Sequence, residues 1–304
     1  MQRHIVILKT ILIIFFPGSL HPQGNNISDG VIIKENQVTE KEQKFIRFYF
    51  EAEKHKLSED YKGAIENYKE CISVLPTEPS PHYQIGRIEF YFFQNLDNAK
   101  NHIEQAIQLN PQNEWYYYEL LAIYGVENNP KQQQGVYEEL IKIKPENQDY
   151  YLSSIQLLIV LGDFRKAEKT IRKAEKKFGL SIELLLELKN MYLSQNKQDQ
   201  AEKVAQELVK KSSIFYNDLA EVYMYFSDYE NAIKTYTKLL KTYPNNASAI
   251  VALYKIYSNK KDIENQEKYL LEIAKSQSIN LETKKEIFYN IVLNNQFNKY
   301  SNFK

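Results

Sequence analysis

One cysteine, one tryptophan, three methionines, nine glycines and nine prolines in 304 residues leave several fold classes without their raw material. A lone Cys71 cannot close an internal disulfide, so no bridged framework is available to this chain. Nine glycines are too few for a turn-rich β fold, and the apolar runs IVILKTILIIFF and YELLAIYGV have no hairpin turns around them. Net charge is missing as well: 39 Lys and Arg cancel 39 Asp and Glu. That cancellation removes the long-range attraction a phosphate backbone needs, and nucleic acid is not expected as a partner.

The groups that chemistry requires are equally sparse. Five histidines are scattered, His4 and His21 near the N-terminus and His55, His82 and His102 further on, and no two of them have metal-ligand spacing. Phosphate-cradling glycine loops, G-x-S-x-G and H-E-x-x-H do not occur. Acids such as Glu138, Glu139 and Glu175 belong to exposed helix faces, and lysine pairs such as Lys176-Lys177, Lys210-Lys211 and Lys260-Lys261 fall where helix ends would favour cations. No catalytic residue, metal or cofactor is expected.

What the chain has is a repeat. An alanine is followed four residues on by a bulky side chain, three further by a small or aliphatic one, and five further by proline. Ala64, Tyr68, Cys71 and Pro76 form one set; Ala99, Ile103, Ala106 and Pro111 the next; Tyr137, Leu140 and Pro145 follow Gln133, which replaces the alanine. Ala167, Ile171, Ala174 and Gly179 continue it, then Ala201, Ala205 and Leu208, then Ala232, Tyr236, Leu239 and Pro244, and last Gln266, Leu270 and Ile273. The steps between anchors are 35, 34, 34, 34, 31 and 34, the short one falling where KKSS stands before Ile214. Ahead of each anchor, apolar residues recur at three- and four-residue spacing, as in Leu219, Ala220 and Tyr223, which predicts a helix with one buried stripe. Turn signals SEDY, LGDF, FSDY and NKQD separate the two helices of a unit. At Cys71, the small-residue position predicts a buried thiol that packs as an apolar group.

This pattern resembles the tetratricopeptide repeat, whose signature runs W-x2-L-G-x2-Y, then A-x3-F, then P. The resemblance covers residues 45 to 278, although His82 and Glu89 stand where two aromatics would be beside the matching Gly86. It implies an all-α, right-handed α-solenoid of helix-turn-helix hairpins. Small residues such as Ala52, Gly86 and Ala220 would let paired helices approach, with Tyr68, Tyr137 or Tyr236 filling the adjacent hole. Proline would end each second helix. In this family the first helices line a concave groove where protein partners lie. The side chains facing it would be Tyr83, Arg87, Phe90 and Tyr91, then Trp115 and Tyr118, and Met224 and Tyr225 in the sixth repeat. Aromatic and arginine side chains dominate interface energies, though these rings could instead pack against neighbouring helices. Some relatives clamp a C-terminal carboxylate with lysine and asparagine; Tyr49 and Glu53 stand there, which disfavours a chaperone co-factor.

The organisation expected is an export signal over 1–22, a flexible leader over 23–41, seven repeats over 42–278 as a single array, and a terminal helix over 279–304. Residues 1–19 run basic, apolar and then small, the order of an export signal, and Ile5 to Phe16 is short of the ~20 apolar residues that span a bilayer. An uncleaved anchor stays open, because no A-x-A site is visible. No cysteine follows the apolar run, so no lipid anchor is indicated. The stretches NEWYYYELLAIY, KAEKTIRKAEKKFGLS and INLETKKEIF resemble exported tetratricopeptide proteins of Bacteroidota-type bacteria, which implies a periplasmic or outer-membrane-associated, non-catalytic scaffold for a protein or peptide partner. A membrane-tethered spacer, held through residues 5–16, is the alternative. The last helix is either a solvating cap, by its flank of Lys284, Lys285, Asn290 and Asn294, or a truncated eighth repeat.

Overall fold

The computed structural model describes residues 38–301, with side chains through residue 293. The expected signal and all of the leader before Val38 lie outside the described residues. Among the described residues the fold is an all-α repeat with no strand, and no helix is long and apolar enough to cross a membrane. Two compact units divide at Ile143 and Lys144. The first holds α1 (Glu40–Leu57), α2 (Tyr61–Val74), α3 (Pro79–Tyr91), α4 (Leu96–Leu109), α5 (Glu114–Val126) and α6 (Pro130–Ile143). The second holds α7 (Gln148–Val160), α8 (Phe164–Phe178), α9 (Ile182–Ser194), α10 (Gln198–Lys211), α11 (Tyr216–Tyr225), α12 (Tyr229–Thr242), α13 (Ala247–Lys260), α14 (Ile263–Lys275) and α15 (Leu281–Ser301). Odd helices pair with the even ones that follow them, giving seven hairpins and an unpaired α15.

Every hairpin closes on one backbone device. A single left-handed residue stands in each turn: Glu59, Gln94, Asn128, Gly162, Asn196, Ser227 and Lys261. In six of the seven, the next amide donates to the carbonyl five residues back, as Asp60 does to His55 at 2.9 Å and Asp228 to Tyr223 at 2.8 Å, which satisfies carbonyls orphaned at the helix end. The second hairpin is longer, and Asn95 reaches back six residues to Glu89. That next residue then caps the second helix: Asp60, Asn95, Asn129, Asp163, Asp228 and Asp262 each accept, through side-chain oxygen, the amide three residues on. Only Lys197 lacks such a cap bond. The turn signals in the sequence are these devices.

A left-handed backbone costs a residue with a Cβ about 1–2 kcal/mol, part of which glycine returns as extra unfolded-state entropy. Ser227→Gly and Glu59→Gly are therefore each expected to gain about 0.5–1 kcal/mol, read as a higher urea midpoint. Asn196→Gly should change little, since asparagine already tolerates this conformation; equal gains at all three would show that the backbone term is not the cause.

Packing follows the anchors. Ala64, Ala99, Ala167, Ala201 and Ala232 are fully buried, as are Tyr68 and Ile103, and Tyr236 is nearly so. At Gly86 an added Cβ would stand 2.7 Å from Cδ1 of Ile103, so α3 and α4 approach through that missing atom. Cys71 is fully buried with Sγ 3.7 Å from the Phe45 carbonyl oxygen, and burial pushes its thiol up to about 12. The third hairpin departs from this: Gln133 keeps its bulk at the alanine position and donates from Nε2 to the Leu121 carbonyl at 3.1 Å, and Tyr137 is only half-buried. Second helices stop two residues before Pro76, Pro111, Pro145 and Pro244, because proline drives its predecessor extended. Where KKSS replaces such a linker, Ser213–Phe215 forms a 3-10 turn.

On α15 the apolar stripe splits. Ile287 is buried and Ile291 half-buried, whereas Phe288, Tyr289 and Val292 remain exposed. Lys284 turns back to bond the carbonyls of Ala274 (3.1 Å) and Ser276 (2.6 Å). Lys285 and Asn290 of the polar flank are exposed beside Phe288, Tyr289 and Val292.

Candidate functional site

In the first unit, α3 and α5 stand side by side and share one face. Residues 83, 87 and 91 follow the helical i, i+4, i+8 spacing along α3, and all three meet Glu119 on α5. The Arg87 Nε lies 3.1 Å from Glu119 Oε1. Tyr83 donates its hydroxyl to the same oxygen at 3.3 Å, and Tyr91 donates to Oε2 at 3.0 Å. The Arg87 guanidinium carbon sits 5.6 Å and 5.7 Å from the centroids of the Tyr83 and Tyr91 rings, within cation–π range. Burial, followed by the charge of Glu119, pushes the Tyr83 hydroxyl up to about 12, so it stays a donor at neutral pH.

The cluster fixes side chains without covering them. Glu119 is only 8% exposed, but Tyr91 keeps 52% of its surface and Trp115, one turn before Glu119 on α5, keeps 67%. Trp115 and Tyr118 meet edge to face with centroids 5.7 Å apart, and Phe90 packs edge-on to Tyr91 at 4.7 Å. Tyr83 leans on Tyr116 at 4.9 Å. Six of the eight groove residues expected from sequence therefore lie on two neighbouring helices of one unit. Met224 and Tyr225 belong to the second unit, where Met224 packs half-buried against the core and Tyr225 donates to Asn196 Oδ1 at 3.3 Å. At the clamp positions, Tyr49 is buried, and Glu53 accepts the Tyr68 hydroxyl at 2.5 Å and pairs with Lys56 at 2.6 Å.

Glu119 is the residue that pattern reading missed. Its signal was present: a single acid inside the apolar stretch WYYYELLAIY. The second unit has its own polar links between first helices, Gln156 to Glu187 at 2.7 Å and Lys189 to Asp218 at 2.6 Å. Burial raises the Glu187 carboxyl, and its Gln156 and Lys189 neighbours pull it back. A pocket of about 390 Å³ among α11, α12, α13 and α15 is lined by Glu221, Tyr236, Val251, Lys255 and Thr283.

One contact was not visible in the sequence spacing: the pairing of α3 with α4 brings the Nδ1 atoms of His82 and His102 to 3.0 Å. Desolvation lowers both, and His102, facing His82 and Lys69 as well, falls to about 4. Among the described residues, no three His, Cys, Asp or Glu side chains converge as metal ligands would.

Residues 80–113 and 218–246 each match a family model of the tetratricopeptide repeat. The chain carries tetratricopeptide repeats. The first matched repeat is the α3–α4 hairpin with Tyr83, Arg87 and Tyr91, and the second is α11–α12. Similar solved structures include a tetratricopeptide repeat protein from Parabacteroides merdae, at 19% identity over 80% of this chain and 97% of that one, with a TM-score of 0.45. A thermophilic repeat protein of Thermus thermophilus matches at 18% identity over 59% of this chain and 98% of its own, with a TM-score of 0.39. No curated protein matches the sequence. Repeats of this kind support a role as a protein–protein interaction scaffold.

Proposed function

We propose that the shared face of α3 and α5 is where this scaffold holds a segment of a partner protein, and that it does so without catalysis, outside the cytoplasm. The observation that carries the reading is Glu119. A buried carboxylate that takes two tyrosine hydroxyls and an arginine holds large side chains in set positions before any ligand arrives, which lowers the ordering cost of binding. Rings left exposed beside it, Trp115 above all, are of the type that anchors interfaces. Export rests on the order of residues 1–19, and mass spectrometry of the mature N-terminus tests it: a chain that starts at Met1 would favour the tethered spacer.

Trp115→Ala with Tyr118→Ala should reduce capture of a partner from an envelope extract at least ~10-fold, the loss typical of removing an aromatic anchor. Circular dichroism should be unchanged, because both rings point away from the core. Undiminished capture by the double variant would move the binding site elsewhere.

A further inference from the structure

We infer that the segment held on this face is a proline-rich stretch in extended polyproline II form; the inference rests on the binding face proposed above. The reason is the balance of donors and acceptors. Both oxygens of Glu119 are buried and already accept from Tyr83, Tyr91 and Arg87. Those two hydroxyls are spent as donors into it. Arg87 meets Glu119 through Nε at 3.1 Å and keeps 44% of its side chain exposed, so a guanidinium with five N–H donors still has some to give. Trp115, 67% exposed, has an indole N–H and no acceptor of its own. The cluster therefore offers donors and ring faces, and its one strong acceptor is closed.

A ligand that fits must bring acceptors, few donors, and flat apolar surface. A polyproline II segment has these properties: its carbonyls make no internal hydrogen bonds, proline has no N–H, and its rings stack on aromatic faces. An ordinary extended strand would bring amide donors to a cluster whose remaining acceptors are the lone pairs of tyrosine hydroxyls, weaker than the carbonyls such amides bond in a sheet. The charge balance agrees. Arg87 is neutralised by Glu119 at 3.1 Å, so the cluster has no net charge with which to select an acidic or basic segment.

Trp115 is the only tryptophan in the chain and stands in the site, so its emission is the readout. An end-capped peptide of about ten prolines, titrated into the full chain, should give a saturable blue shift. Half-saturation should come at a concentration at least ~10-fold lower than with a Gly/Ser peptide or a glutamate-rich peptide of the same length. Arg87→Lys, which keeps the charge and loses the fork, should weaken the proline peptide ~10-fold. Tyr91→Phe, which leaves the ring, should weaken it less. Absence of a saturable shift with the proline peptide overturns the inference. If the glutamate-rich peptide shifts Trp115 instead, the binding face survives and the ligand class is wrong. If no peptide acts and the Trp115 and Tyr118 double variant also captures partner normally, the binding face falls with it.

Discussion

Asp218→Ala is expected to destabilise the second unit by about 3–5 kcal/mol, the cost of leaving a buried charge without its counter-ion. Lys189 on α9 has 7% of its side chain exposed, and its ammonium lies 2.6 Å from Asp218 Oδ1 on α11, itself 19% exposed. Removing the carboxylate leaves the ammonium too deep to rehydrate. Glu187 is on the same helix and feels the Lys189 charge, but Gln156 already holds it at 2.7 Å. The charge, and not the shape, should carry the cost. Lys189→Met combined with Asp218→Leu should therefore recover most of the loss, as apolar replacement of a buried pair commonly does. Urea unfolding followed by circular dichroism, with amide exchange over α9 and α11, reads both. A single-variant cost below about 1 kcal/mol, the range of surface pairs, would mean that water reaches the site.

Lowering the pH from 7 to 5 should weaken the first unit by about 1–2 kcal/mol through His82 and His102. Both are held below the ordinary histidine value, His102 at about 4. The unfolded chain therefore takes up protons before the folded one does. Stability is full above the unfolded value near 6.5 and is lost as pH falls towards 4, where the folded pair protonates too. The unscreened shift would suggest more, but both imidazoles are half-open to water and the effect is discounted for that. Trp115 lies in the same unit and reports its unfolding. Replacing both histidines by glutamine should flatten the decline over this range, while carboxylates with lowered values, such as Asp60, still titrate further down. Parallel declines in wild type and variant would rule the pair out as the source.

Both predictions turn on contacts that cross from one helix to another, and that marks where sequence reading ran short. The anchors were legible because each is a local demand: Ala99 and Gly86 are small since α3 and α4 meet there, and Pro111 stops α4 from within its own linker. The aromatic face was legible in the same way, by helical spacing along α3. Glu119 was not, because its meaning lies in three side chains about thirty residues earlier. Nor was the turn of Lys284 on α15 back to two carbonyls eight and ten residues earlier.

By itself the sequence determined the hairpins, their turns, their period and their buried faces. These arise from interactions within about a dozen residues, and a 34-residue repetition writes the same local instruction again each time. Only the tertiary structure decided which polar groups meet: His82 with His102, Lys189 with Asp218, and Glu119 with Tyr83, Arg87 and Tyr91. Periodicity says which side of a helix is wet, whereas a hydrogen bond between two helices depends on their relative rotation and slide, and those are set by the packing of every side chain between them.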